Sequence, residues 1–477
     1  MALAIVILPL LGALAAFAMP SQRMRPWIVS LTAAGHLALV IWALGQPPLV
    51  ALDDWIVVDD LGKLVLSFTS VFFFVCSLYV PGYLAAHPER DNRVFCMALL
   101  ALLAMLSLIV EAHHLGLMWV ALEASTLASA PLVYWRRTPQ ALEAVWKYLV
   151  VGSVGIAIAL LGSLFLAYSA LSGGAHPSLL FEDLVRAAPH LSRPWLDSAF
   201  VLLFIGYGTK MGLAPMHTWK PDAYGEAPGL VGALLAGGLT NCAFVAILRF
   251  YRIVNVAGEG AFARQLMIVS GLLSMAVAGV FMARQRDFKR MLAYSSVEHM
   301  GILVVGVGIG GAGVFGSLYH LLNNGFTKGV LFLSAANIHR AFASKRTPEV
   351  SGALRRVPLS AALFLIGFFA ITGSPPFGPF LSEFTIVNAA LGQAHWVVGA
   401  LFLFLLVVIF VGMGATVLAV VQGKPPESVG ALPHKEKVLT VAPILAFAGA
   451  ILVLGLYLPR PLDELLHGAA DFVQGAR

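Results

Sequence analysis

The sequence predicts an all-α, polytopic membrane protein of about fourteen spanning helices. Three observations carry that prediction. Of 477 residues, 59% are hydrophobic and 11% charged, and mean hydropathy is +0.87; a soluble chain this apolar has too little polar surface to cover its core. The hydrophobic residues suffice for roughly fourteen helices of about 20 residues each. Finally, the apolar runs are bounded by charged, Pro or Gly clusters, as membrane spans are. A soluble enzyme, a disordered chain and a nucleic-acid-binding domain are excluded. The net charge of +6 is accounted for by Lys and Arg gathered in cytoplasmic loops.

The spans run, in order, over 2–19, 27–45, 61–80, 94–110, 114–134, 141–171, 197–219, 228–251, 263–283, 291–309, 312–339, 358–391, 395–421 and 438–458. The first resembles a signal peptide but lacks the positive flank of one, so it reads as a spanning helix. The seventh and twelfth are the least regular. From Arg460 onward, Leu462, Leu465, Leu466, Ala469 and Phe472 fall near helical spacing, which predicts a short interfacial helix.

Basic residues test this map. Nineteen Lys and Arg follow odd-numbered spans, among them Arg284, Arg286, Lys289, Arg290 and the Lys345–Arg356 segment, against seven on the other side. The bias places odd loops in the cytoplasm and both termini outside. Arg249, Arg252 and Arg264 sit on the wrong side and blur it. The acidic loop Asp53, Asp54, Asp59, Asp60 falls outside, and Lys63 lies near enough to a helix end to snorkel.

Ionisable groups at membrane depth cost several kcal/mol each, so they normally face the protein interior and belong to an ion or substrate path. Lys147, Lys210, Lys328, Glu123, Glu143, Glu298, Glu383, His299 and His320 fall inside predicted spans. Glu123 with Lys210 makes a pair able to load and release a proton if its spacing changes; a static buried ion pair is the competing reading. Glu143 and Lys147 stand at i and i+4, a spacing that serves a structural pair as well as a proton input. Asn241 either lines a water file or glues two helices. Glu298 and His299 are adjacent, hence about 100° apart on a helix, so that one can face the polar axis and the other a loop or neighbouring helix. His320, Asn324 and Lys328 recur at four-residue steps and form one polar stripe. Glu383 follows the Gly373–Pro379 interruption and ends the row.

A weak internal echo joins the two irregular spans. Ile205-Gly206-Tyr207 through Gly212 and Pro215 matches Ile366-Gly367-Phe368 through Gly373 and Pro376, 161 residues on. Paired broken helices in two repeats point to a transport site at the midplane. Cys76, Cys96 and Cys242 are far apart with no C-x-x-C, so the sequence predicts no metal or iron–sulfur site in this chain. No nucleophile–base pair and no haem or flavin motif is present. Gly306-Val307-Gly308-Ile309-Gly310-Gly311 lacks a βαβ setting and reads as close helix packing.

The stretch from Lys210 through Pro215, His217, Trp219, Lys220-Pro221-Asp222-Ala223-Tyr224 and Glu226-Ala227-Pro228 resembles the signature of the antiporter-like subunits of respiratory complex I. Those are related to multisubunit sodium/proton (Mrp) antiporters and membrane-bound hydrogenases. Arg290 to Gly301, with Ser295-Ser296-Val297-Glu298-His299, resembles the second hallmark of that family. The likeness covers roughly residues 95–390. The phrasing of Trp119 to Thr126 and Trp146-Lys147-Tyr148 is most similar to the hydrogenase-4 component F type, with the M, N and L subunits of NADH-quinone oxidoreductase as relatives.

The resemblance implies two inverted five-helix repeats, each with a broken helix, over 94–252 and 253–421, preceded by three helices in 1–93 and followed by a last helix and short tail in 422–477. It implies a proton path through Glu123, Lys147, Lys210, His217, Asn241, Glu298, His299, His320, Lys328 and Glu383. It also implies a proton-translocating subunit of a redox complex in a bacterial or archaeal inner membrane. Iron–sulfur, nickel–iron or flavin centres would sit in partner subunits only. A sodium/proton antiporter module and an inorganic-carbon uptake module are the alternatives. Three departures matter. The eighth-helix lysine of complex I subunits is Asn241 here, the family's Leu and His around Pro-Asp-Ala are Lys220 and Tyr224, and Asn324 replaces a second histidine of some relatives.

Overall fold

The computed structural model describes residues 1–176, 178–283, 285–426 and 435–475; Arg284 lies outside them. Among the described residues the chain is all-α apart from one small hairpin. Its helices are α1 (Ala2–Ala18), α2 (Arg25–Leu44), α3 (Asp60–Leu84), α4 (Arg93–Glu111), α5 (Leu115–Val133), α6 (Pro139–Ser172), α7 (Phe181–Ala187), α8 (Arg193–Met211), α9 (Trp219–Glu226), α10 (Gly229–Ala233), α11 (Thr240–Val256), α12 (Gly260–Met282), α13 (Phe288–Ile309), α14 (Ala312–Phe342), α15 (Ala353–Arg356), α16 (Pro358–Ile371), α17 (Gly378–Gly392), α18 (Trp396–Val421), α19 (Val438–Leu456) and α20 (Arg460–Gln474). Ten of these segments are long and apolar enough to cross a membrane, counting α10 to α11 as one continuous rod from Gly229 to Val256. The 31-residue α14 is not among the ten: His320, Asn323, Asn324, Thr327 and Lys328 fill its middle.

Local chemistry sets the element ends. Asp59 caps α3 by accepting from the Gly62 amide at 2.6 Å, Thr138 caps α6 ahead of Pro139, and Asp287 caps α13 through the amides of Lys289 and Arg290. The irregular seventh span holds α8 and a non-helical stretch after Met211, with α9 starting at its last residue, Trp219; the twelfth holds α16 and nearly all of α17. In both, a glycine with left-handed backbone follows the first half: Gly212 at φ 82° and Gly373 at φ 66°. A π-helical stretch, Leu234–Leu239, joins α10 to α11.

The hairpin was not foreseen. β1 (Leu49–Ala51) and β2 (Ile56–Val58) pair antiparallel, Leu49 opposite Val58, across the Asp53-Asp54 turn. The tail forms the predicted helix, α20, which buries Leu466, Ala469, Phe472 and Val473 against the protein.

Contacts sort the loops into two ends. At one, Arg25 bonds Asn92 at 3.1 Å, Arg90 the Trp135 carbonyl, Arg136 His339 and Lys345 Glu226, while the Gly352 amide reaches Gln422. These are the loops that follow odd-numbered spans. At the other, Ile56 bridges Ala112, His114 bridges Leu180, Arg193 pairs with Glu259 and Asn255 bonds the Gln474 carbonyl. Lys63 does reach an end, donating to the Gln46 carbonyl.

Burial separates centre from periphery. The apolar window of Gly229–Val256 is 100% buried and that of α13 94%, against 33% for α18. Outward faces such as Leu403, Phe404, Val407 and Val411 on α18 are exposed and apolar, as helices facing lipid are. The central position of α11, α13 and α14 puts their polar side chains in the interior.

Candidate functional site

In the first half, α5, α6 and α8 bring Glu123 and Lys210 together. Lys210 Nζ stands 3.5 Å from Glu123 Oε2, and neither atom has a hydrogen-bond partner among the described residues. Glu123 Oε1 accepts from Ser153 at 2.6 Å. Lys210 is buried, while the Glu123 side chain is 23% exposed. Gly152 makes room for the ammonium: a Cβ there would lie 3.1 Å from Lys210 Nζ. The Tyr148 ring lies below Nζ at 5.8 Å. The pair is charge-matched but not locked.

In the second half two of the predicted residues, His299 and His320, meet through a hydrogen bond, and the others gather around them. His299 Nδ1 and His320 Nε2 are 2.9 Å apart, and His320 Nδ1 bonds Ser382 Oγ at 2.9 Å. His299 Nε2 faces Glu298 Oε2 at 3.7 Å. Glu298 and His299 are both buried, since 94% of the apolar window of α13 lies inside the bundle. Lys328 donates to Ser295 Oγ at 2.8 Å and acts electrostatically on Glu298, His299 and His320. Glu383 joins the histidines: one ligand-type atom from each of His299, His320 and Glu383 lies within 4.8 Å of the others. That donor set is metal-like, and the sequence did not show it. The imidazole–imidazole hydrogen bond makes the present geometry that of a relay. Asn324 lies on the same stripe, with no partner for either amide atom among the described residues.

Between the halves, Asn241 spends its amide on backbone, donating to Gly237 at 2.8 Å and Leu321 at 3.3 Å; its Oδ1 has no partner among the described residues. Of its two readings, the contacts are those of helix glue beside the π-helical stretch. His217 sits in the α8–α9 connection, 7% exposed, its ring 6.3 Å from that of Tyr294 and within electrostatic reach of Lys220. Lys220 itself is fully buried.

Lys147 and Glu143 are not at membrane depth among buried groups. Lys147 pairs with Glu143 at 2.7 Å and with Asp222 at 2.9 Å; its side chain is 47% exposed and that of Glu143 66%. Asp222 also pairs with Arg290. This is a rim network at the end that carries the odd loops.

Sequence reasoning missed three interior groups. Asp59, His113 and Arg249 form a buried set: His113 Nε2 and Arg249 Nη1 each stand 3.0 Å from Asp59 Oδ2, and Arg249 also bonds the Val110 carbonyl at 2.7 Å. Burial alone raises the Asp59 carboxyl; Arg249 and His113 outweigh it and hold it at about 2. Arg249 thus owes its place to an interior carboxylate, not to a loop, and Arg252 stacks over Phe472 at 3.9 Å, which explains why both blurred the charge count. His36 bonds Ser70 and Ser107 at 2.7 and 2.8 Å. Glu111 is buried with neither oxygen hydrogen-bonded among the described residues.

Chemically, the arrangement can pass a proton over a short distance: uptake at His299 Nε2 frees the Nδ1 proton for His320 Nε2. The Ser382 hydroxyl holds His320 Nδ1 and, with its own proton on the Pro379 carbonyl at 2.9 Å, ends the chain there. The Glu123–Lys210 pair stores charge in a form that depends on a 3.5 Å gap.

Comparison with known proteins identifies the family. The family described as NADH:quinone oxidoreductase/Mrp antiporter, TM matches residues 112–410, more than half of the chain. A hydrogenase-4 component F homolog of Methylacidiphilum infernorum (isolate V4) is 32% identical over 434 residues, 88% of this chain and 89% of that protein. In structure, the chain is similar to a chain of respiratory complex I from Thermus thermophilus (TM-score 0.78, 26% identity, 96% and 97% covered). It is also similar in fold to a chain of the membrane-bound sulfane sulfur reductase, an archaeal respiratory membrane complex (TM-score 0.89, 21% identity, 99% and 97% covered). The chain belongs to the NADH:quinone oxidoreductase/Mrp antiporter family and is one of its antiporter-like integral membrane subunits.

Proposed function

We propose that this subunit translocates protons within a redox-driven membrane complex of the group 4 hydrogenase or NADH-quinone oxidoreductase type. One observation carries the reading: charged and imidazole side chains of α5, α8, α13, α14 and α17 converge on the interior, with His299 and His320 joined by a hydrogen bond. A structural anchor has no use for so many desolvated charges. The path runs through Glu123 and Lys210, then Lys328, Glu298, His299, His320 and Glu383, with His217 at its edge and Asn241 as a polar support. Lys147 belongs to the rim.

Fourteen crossings accommodate this path: the ten long apolar segments, α1, α14 and the two broken helices α8–α9 and α16–α17. Residues 94–252 and 253–421 are then inverted five-helix repeats, with 1–93 before them and 422–477 after. The 161-residue echo supports the repeat, since both of its glycines, Gly212 and Gly373, take left-handed backbone. The basic end faces the cytoplasm and both termini face outward, in a bacterial or archaeal inner membrane. Iron–sulfur, nickel–iron or flavin centres belong to partner subunits, which deliver redox work as a change in the Glu123–Lys210 spacing.

The test is Lys210→Met in the assembled complex in membrane vesicles, energised in turn with hydrogen, formate or NADH. Loss of acidification with assembly and electron transfer retained supports the reading; undiminished pumping rejects it. Acidification driven only by an imposed sodium gradient assigns the chain to a sodium/proton antiporter instead.

A further inference from the structure

The two helix breaks share a detail that the repeat pattern in the sequence does not show. Each left-handed glycine is covered by an ionisable side chain from the helix that follows it. A Cβ on Gly373 would lie 2.2 Å from Glu383 Oε2, and a Cβ on Gly212 would lie 2.1 Å from Lys220 Cε and 2.7 Å from its Nζ. Glycine at these positions leaves the space in which a charged head rests on the broken backbone. The first break holds an amino group where the second holds a carboxyl group.

Lys220 is 0% exposed, and its Nζ has no hydrogen-bond partner among the described residues. Its neighbour is the Tyr224 ring at 5.9 Å. Lys289, also buried on the same side of the bundle, shows what a structural lysine looks like here. It donates to the Gly225 and Ala227 carbonyls at 2.9 and 2.5 Å and so caps the end of α9. Lys220 stabilises nothing of that kind, and an unmatched ammonium in such a place costs several kcal/mol. Position supplies the reason to keep it. Lys220 rests on Gly212, two residues after Lys210, and Lys328 of the second half acts on it electrostatically. On the central helix of the same region, the amide of Asn241 is committed to backbone carbonyls.

We infer that Lys220 is the proton carrier that joins the first half of the path to the second. Resting on the proton-translocating reading above, this assigns it one step: the Lys210 ammonium gives up a proton and becomes a neutral amine, and the Lys220 amine takes that proton and becomes an ammonium. Lys220 then releases it toward Lys328. N–H bonds alone break and form, and no co-reactant is needed.

The experiment uses the assembled complex in vesicles, with Lys220→Met, Lys220→Gln and Lys220→Arg beside Lys210→Met. The expected result is a fall of about a hundredfold in proton translocation for all three Lys220 variants, with electron transfer retained. Arginine keeps the charge but does not give up its proton. Recovery of pumping in Lys220→Arg therefore shows a fixed-charge role and overturns the inference, as does full pumping in Lys220→Met. Should Lys220→Met fail to assemble, the polar and smaller-headed Lys220→Gln decides by the same criterion. If Lys210→Met loses pumping while the Lys220 variants keep it, this inference alone fails; if Lys210→Met also pumps normally, the reading beneath it fails.

Discussion

The Glu123–Lys210 pair and the His299–His320 relay lie in the two halves of one bundle and handle charge differently. The pair is a 3.5 Å ion contact without a hydrogen bond, its carboxylate 23% exposed. The relay is fully buried and tied at 2.9 Å on both sides of His320. A loose pair responds to small shifts of α5 against α8, because its energy depends on the gap. A tight relay responds little to such shifts and conducts in any position that keeps its bonds. The first half is thus suited to receiving a mechanical signal and the second to passing protons onward.

Four changes break or sharpen that contrast. Lys210→Met removes the switch, and vesicle acidification should fall to the background of uncoupled membranes. Glu123→Gln keeps the Ser153 contact but leaves Lys210 without its counter-charge; the translocation rate should drop about a hundredfold, with the complex still assembled by native gel. Gly373→Ala places a methyl group against Glu383 Oε2 in a left-handed backbone costing roughly 1–2 kcal/mol. Pumping should fall about tenfold while the first-half pair is untouched, which a stopped-flow pH dye can follow. Lys147→Met removes a rim contact of a kind worth about 0–1 kcal/mol, and acidification should change by less than about twofold. A large effect there would move the entrance of the path to the rim.

Much of this was legible in the sequence, for physical reasons. Ionisable residues inside apolar runs are visible because the membrane makes them costly. The His320–Asn324–Lys328 stripe is visible because a helix repeats every three to four residues. The two breaks are visible because Gly and Pro interrupt helices. What stayed hidden depends on tertiary partners. Arg249 looks like a misplaced loop charge until Asp59 and His113 are seen beside it. Lys147 looks buried until α6 is seen to present it at the rim. Glu298 and His299 stand about 100° apart on their helix, and only the packing around α13 shows that both are buried. Lys220 reads as a substitution in a motif until it is found lying over Gly212. The hairpin at Leu49–Val58 is too short for its alternation to stand out from the surrounding loop.

Whether the interior groups make one route is tested most directly by combining blocks from the two halves. Proton translocation is measured in vesicles carrying the complex with Lys210→Met, with His320→Ala, and with both. A single route predicts that either change alone stops the flow and that the double variant is no worse. Two single variants that each keep about half of the flow, with only the double abolishing it, would show two independent routes and contradict the account.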